Sequence, residues 1–361
     1  MKVITKESEK FLYKYLNSTS PTGFEWEGQK VWLEYMKQFA DEVELDTYGT
    51  ATAILNPGQP YKVVIEAHAD EIAWYVNYIS EDGYINVIRN GGSDHIIAPS
   101  KRVNIHTPKG IVKGVFGWPA IHVRRGKDAN LSPKLENIFI DVGAKDKAEV
   151  KKMGVHVGCV ITFDDALEKL NNKYYVGKAL DNKMGGFCIA EVARMIRKNK
   201  KKLPYTLYVV NAVQEEIGLR GAEMIAARIN PDVAIITDVT HDTSSPMMKA
   251  KEQGDQRAGK GPVLTYAPAV HNKLLKLIEK AADKSKIPFQ RSASSRSTGT
   301  DTDAFAYSNK GVASALISLP LKYMHTTVEM AHQDDIENVT KLIYQTLLSI
   351  KKNHDFKYFK Y

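Results

Sequence analysis

Apolar and polar positions along this chain fall into three successive textures. Residues 5 to 17 and 25 to 40 repeat with helical period on either side of Ser20-Pro21-Thr22-Gly23, where proline and glycine mark a turn. Val43 to Leu55 reads as two strands broken at Tyr48-Gly49, and Tyr61 to Ala67 as a strand buried on both faces. From Ile72 the pattern shortens into strand-like runs at Ile72 to Ile79, Tyr84 to Ile88, Val103 to Thr107, Gly110 to Phe116, Ile138 to Val142 and Cys159 to Phe163. Gly, Pro and Asp-Gly turns cut these runs, and helical period appears only near Lys145 to Met153, so a small β-barrel or sandwich is predicted there. From Lys178 onward strands alternate with helices over Met184 to Lys198, Ala222 to Arg228, His271 to Lys286 and Asp335 to Lys352. That alternation predicts a three-layer α/β/α sandwich.

The β-rich stretch thus interrupts an α/β unit, giving a first catalytic part over residues 1–71, an insertion over 72–170 and a second catalytic part over 171–361. A chain of 361 residues is also longer than one core usually sustains. With 43% apolar and 25% charged residues, it has the composition of a soluble globular protein. No apolar run is long enough to cross a bilayer, and charges stand in Met1 to Leu16 where a signal peptide needs apolar residues, so a cytoplasmic protein without a membrane partner is expected. Cys159 and Cys188 fit neither a disulfide framework nor a zinc-finger spacing and read as buried small residues. The net charge of +8 raises the question of nucleic acid. However, the basic runs Arg197 to Lys202 and Lys351 to Tyr361 accompany no nucleic-acid-binding motif, so they are read as solvated surface and no nucleic-acid partner is expected.

Candidate chemistry gathers around Asn211 to Ala222, where the apolar run Tyr205 to Val213 stops at Glu215 and Glu216. Four further runs stop on metal-ligating residue types: Val63 to Ala67 at His68 and Asp70, Tyr174 to Leu180 at Asp181, Val233 to Thr237 at Asp238, and Ala313 to Tyr323 at His325. Ligands bind outside the carboxyl ends of strands in open α/β sheets, so five such endings point to one rim. Imidazole and carboxylate suit zinc and other borderline divalent ions. Five ligands exceed what one catalytic zinc takes but match two ions that share a carboxylate, and Asp181, short and followed by Asn-Lys and Gly185-Gly186, is read as the bridge beside a turn. Glu215, adjacent to a ligand yet free, is placed to act as general base, and Asp70 to accept from the His68 ring. The bland readings are helix caps at Asp181 and Asp238 and a packed histidine at His325. The remaining histidines are read as structural, and Gly299-Thr300-Asp301 as either pocket lining or a simple turn.

The chain resembles the M42 metallo-aminopeptidases, which include the tetrahedral TET peptidases. The resemblance is carried by SPTGFE (20–25), HADEI (68–72), GVFGWPAIH (114–122), KALDNKMGG (178–186), QEEIGLRGA (214–222), TDVT (237–240), GKGPV (259–263), GTD (299–301) and KYMHTTVE (322–329). It implies two divalent ions, Zn2+ or Co2+, one held by His68, Asp181 and Asp238 and the other by Asp181, Glu216 and His325. Glu215 is then the base and Asp70 the partner of His68. It further implies a PDZ-like inserted domain used for dimerisation, dodecamers built from those dimers, and peptide substrates with a free N-terminus. Departures from the family pattern at Ala67, Ala69, Ala73, Lys322 and Thr326 bear on pocket shape and substrate preference. A related di-zinc deacylase or carboxypeptidase would use the same order of ligands. A non-catalytic scaffold would bind no metal. A glycosidase is disfavoured, because its two carboxylates must stand ~5 Å or more apart across a cleft.

Overall fold

A computed structural model describes residues 2–126 and 130–359, so the last two residues of the basic tail, Lys360 and Tyr361, lie outside the described residues. Among the described residues eleven strands form the large sheet, with central order Ala51–Leu55, Thr206–Ala212, Lys62–His68, Val233–His241 and Ala313–Lys322. The last four run parallel, and Ala51–Leu55 is antiparallel to its neighbour. Beyond Ala313–Lys322, Glu329–His332 and then Tyr174–Gly177 extend the sheet by two antiparallel steps, which returns Tyr174–Gly177 to the direction of the central strands. All five strands that carry the predicted site residues therefore point towards one rim.

The central strands are near-continuous apolar runs because both of their faces are covered. Leu180–Lys198 packs against Lys62–His68 and Val233–His241 and against the helices Lys6–Leu16, Trp26–Met36 and Gln333–Ser349. Arg220–Ile229 packs with the short helix Thr302–Ala306, against Thr206–Ala212 and Ala313–Lys322. The result is an α/β/α sandwich around one core that includes Trp32, Phe187, Tyr205 and Ile317, all fully buried.

Between Ala73 and Phe163 the chain forms a closed six-stranded barrel with its own core around Trp74, Phe116, Ile140 and Ile161. By Glu168–Leu170 the chain again pairs with the large sheet, through Tyr174–Gly177. The predicted runs all form strands, displaced by a residue or two: Tyr84 to Ile88, for example, becomes Ile85–Asn90.

Candidate active site

His68 closes its strand opposite Ala212, and Glu215 and Glu216 follow Ala212 around a turn in which Gln214 takes a left-handed φ of 58°. Asp238 departs from the sequence reading, because its strand does not stop at Thr237 but runs on to His241, held in register against Ala313–Lys322. Asp238 reaches the site from within the ladder, opposite Ser318. Asp181 lies where the chain enters Leu180–Lys198, and its own backbone is non-helical. The predicted Gly-Gly turn beside it is absent, since Gly185 and Gly186 are helical and serve close packing. A Cβ on Gly185 would fall 2.2 Å from Asn182 Oδ1, and one on Gly186 would fall 2.7 Å from the Tyr15 hydroxyl.

These residues converge. Asp181 directs Oδ1 to His68 Nε2 at 3.2 Å and Oδ2 to His325 Nε2 at 3.3 Å. Asp238 Oδ1 lies 3.6 Å from His68 Nε2, and Glu216 Oε1 lies 3.4 Å from His325 Nε2. Three groups of ligand atoms result, each within 4.8 Å of one another: His68/Asp181/Asp238, Asp181/Glu216/His325 and His68/Glu215/Glu216. Glu215 Oε2 stands 3.8 Å from His68 Nε2.

Asp70 organises this rim from beneath. It is fully buried and accepts hydrogen bonds from the backbone N–H of Glu215 (3.0 Å), the N–H of Glu216 (3.2 Å) and the Thr22 hydroxyl (3.0 Å). His68 Nδ1 lies 3.3 Å from Asp70 Oδ1, close enough for attraction but off the line of a good hydrogen bond. One carboxylate thereby fixes the backbone of both glutamates and restrains the imidazole.

The electrostatics call for cations. Burial resists charge on Asp181, yet His325 and His68 hold its carboxyl well below the ordinary range. Burial, reinforced by the carboxylates of Asp238, Asp301 and Glu216, pushes Glu215 up to about 10 despite the opposing His68 ring. Hydrogen bonds that its ring donates to the carboxylates of Asp181 and Glu216 raise His325 to about 11. Burial disfavours a charged His68, but Glu215, Asp181, Asp238 and Asp70 override it and hold the ring well above its usual value. Two imidazoles facing so many carboxylates fit divalent cations, whose binding would displace protons from such groups.

Several contributors escaped the sequence reading. Glu329 is buried and accepts from the backbone N–H of both Asp181 (3.2 Å) and His325 (2.8 Å), the latter held at a left-handed φ of 61°. Its cue was a lone acid four residues after His325. Glu66 is buried and electrostatically linked to the buried Asp301, whose loop the sequence reading left open between pocket lining and a simple turn, and among the described residues neither carboxyl meets a hydrogen-bond partner. Burial raises Glu66 to about 8, and burial together with Glu66 raises Asp301 well above its usual range. Glu66 was legible as a charge inside an apolar run two residues before His68, and hence on the same strand face. Gly92, in a barrel loop, was missed too. A Cβ there would stand 2.6 Å from His325 Nδ1, so only glycine lets the insertion abut the site this closely.

The comparisons with known proteins agree with this architecture. The family model for M42 glutamyl aminopeptidase matches residues 49–342. The lysyl aminopeptidase of Pyrococcus furiosus is 34% identical over 345 residues, covering 95% of this chain and 97% of the relative. A TET aminopeptidase crystal structure from a marine-sediment archaeon of the Thaumarchaeota superimposes with a TM-score of 0.89 at 30% identity, over 94% of this chain and 96% of that one. The TET1 peptidase of Pyrococcus horikoshii, described as able to assemble into a tetrahedron or a large octahedral shell, gives a TM-score of 0.81 at 27% identity, covering 94% and 98% of the two chains. The chain belongs to the M42 glutamyl aminopeptidase family. It is accordingly an aminopeptidase, a hydrolase of peptide bonds. Among the described residues no helix is long and apolar enough to cross a membrane.

Proposed function

We propose that this aminopeptidase binds two divalent ions, Zn2+ or Co2+, and removes N-terminal residues from peptides with Glu215 as general base. The observation that carries the reading is Asp181, which offers one oxygen to each of two imidazole-centred triads. His68, Asp181 and Asp238 would hold one ion, and Asp181, Glu216 and His325 the other. Such ions supply Lewis acidity towards water and the scissile carbonyl. Glu215 then takes the proton from the attacking water and returns it to the leaving amine. Asp70, through the backbone N–H groups of both glutamates, keeps the base in register with the ligand beside it. Glu329 anchors Asp181 and His325 in the same manner.

The reading extends to assembly and setting. The TET relative's assembly, together with the exposed apolar side chains Ile88, Ile111 and Val115 on barrel strands, supports a homo-oligomer in which barrels pair into dimers that build a dodecamer. A cytoplasmic location is proposed with it. The preferred N-terminal residue is not transferable, because one relative is named for lysyl residues and the family for glutamyl, which carry opposite charges.

The test compares peptides bearing a free N-terminus with their N-acetylated forms. Expected are cleavage of the free form only, its loss with chelator and its return with Zn2+ or Co2+. Cleavage of the acetylated form alone, or full activity in a thoroughly chelated sample, would overturn the proposal.

A further inference from the structure

The segment Ser20 to Glu25 lies between the inserted barrel and the rim of the large sheet, and it is tied to both. On the rim side the Glu71 N–H donates to the Ser20 carbonyl (2.9 Å), the Thr22 N–H donates to the Glu71 carbonyl (3.1 Å), and the Thr22 hydroxyl donates to Asp70 Oδ2 (3.0 Å). On the barrel side the Asn90 side-chain amide donates to the Thr22 carbonyl at 2.8 Å, and Phe24 packs edge-on against Tyr75, with ring centroids 6.1 Å apart. Asn90 ends the barrel strand Ile85–Asn90 and is paired with Ala73, the first residue of Ala73–Ile79. A strand ladder therefore places its donor, which is firmer than placement by a loop. Just beyond it Gly91 takes a φ of 76°, and a Cβ there would lie 3.1 Å from the Glu216 Cβ.

Resting on the reading of Glu215 as general base, we infer that Thr22 and Asn90 are positioning residues for that base, so that the barrel holds the catalytic glutamate through Thr22 and Asp70. The path is short and closed to solvent. Thr22, Asp70 and Asn90 are 1%, 0% and 6% exposed, so water does not replace a bond lost between them. Asp70 divides its two oxygens among four neighbours: Oδ1 takes the Glu215 N–H and lies against His68, and Oδ2 takes the Glu216 N–H and the Thr22 hydroxyl. The Thr22 hydroxyl comes from a segment far away in sequence and helps to fix the plane of this carboxylate, and with it the two N–H groups that place Glu215 and Glu216. Asn90 acts one bond further back. With its N–H on Glu71 and its carbonyl on Asn90, the Thr22 backbone is gripped from the rim and from the barrel at once.

The experiment uses the full-length, metal-loaded protein and measures kcat and KM on a peptide with a free N-terminus, together with urea unfolding and amide hydrogen exchange over residues 213–218. Thr22→Val removes the hydroxyl and keeps the shape; it is expected to lower kcat about 10-fold with little change in KM, the lower end of what a partner that orients a ligand carries. Thr22→Ser, which keeps the hydroxyl, should restore most of that loss. Asn90→Ala, a change in the barrel, should lower kcat in the same way and speed exchange at the Glu215 and Glu216 amides by about 10-fold, as local opening becomes easier. Because both residues act along one path, the double variant should lose clearly less than the product of the two single factors. If kcat and exchange stay at wild-type levels and only the urea midpoint falls, the segment is a structural tie and the inference fails. It fails also if serine is no better than valine, or if the two effects multiply. Should Thr22→Val not fold, Asn90→Ala decides the matter through kcat and exchange. A wild type that cleaves no peptide with a free N-terminus would instead overturn the aminopeptidase mechanism on which the inference rests.

Discussion

Replacing Asp70 by Asn probes the account at its least conspicuous point, because the residue makes no ligand contact yet supports the base. Its Oδ1 takes the Glu215 N–H and lies against His68, and its Oδ2 takes the Glu216 N–H and the Thr22 hydroxyl. Asparagine keeps one oxygen and turns an amine towards the other pair. The Thr22 hydroxyl can rotate, and already lies 3.3 Å from the Glu71 carbonyl, but the facing backbone N–H cannot. One buried N–H is then orphaned, at about 1–3 kcal/mol, and the surviving bond loses the roughly twofold strength a charge lends it. Together these amount to about 2–4 kcal/mol, spread over stability and site geometry. Partners that orient metal ligands commonly carry a factor of about 10–100, so kcat/KM at saturating metal should fall by that factor, and affinity for Zn2+ in competition with a chelator should weaken as well. Both are measured on protein shown to be folded by urea titration. If Asp70→Asn stays within about twofold of wild type in both quantities, the support role fails, since the carboxylate would then be worth no more than ~0.4 kcal/mol to the site.

Further expectations follow from other groups. Glu215→Gln should retain bound metal and near-normal KM while kcat drops by about 100-fold or more, the share usually owed to a positioned base; steady-state kinetics with metal analysis decides it. Buried Arg194 pairs with buried Glu191 at 2.6 Å beside the Tyr35 hydroxyl, so Arg194→Ala should cost about 3–5 kcal/mol by urea unfolding, through the orphaned carboxylate. Burial lowers the Lys183 ammonium to about 7, from its ordinary value of 10.5. Between those values the unfolded chain binds a proton that the folded chain has lost, so this group's contribution to stability rises with pH across that window. The stability of wild type relative to Lys183→Met should therefore increase from pH 7 towards 10, and a gap that stays flat over that range would refute the assignment.

What was legible in the sequence were groups whose position follows from strand direction. His68, Glu215, Glu216 and Asp181 lie at or just beyond apolar runs, and a parallel sheet necessarily gathers such endings. The switch in texture after Glu71 likewise exposed the barrel, because short strands between turn residues have a different period from βα units. What stayed hidden depends on contacts across the fold. Nothing local distinguishes Glu329 from a solvated acid, and its value lies in two N–H groups that belong to segments far from each other in sequence. Asp238 showed its residue type but not its setting, since strand length is fixed by the neighbour at Ala313–Lys322 rather than by the run itself. Gly185 and Gly186 were misread for a related reason: a Gly pair suggests a turn, whereas here it admits Asn182 and Tyr15 against a helix.

The most direct measurement of the central claim is the metal content of the purified protein by elemental mass spectrometry, after stripping with chelator, reloading with Zn2+ and exhaustive dialysis. Two zinc ions per chain, falling below two in Asp181→Asn, is the expected result. A wild-type chain that retains none, or a full pair retained without Asp181, would contradict it.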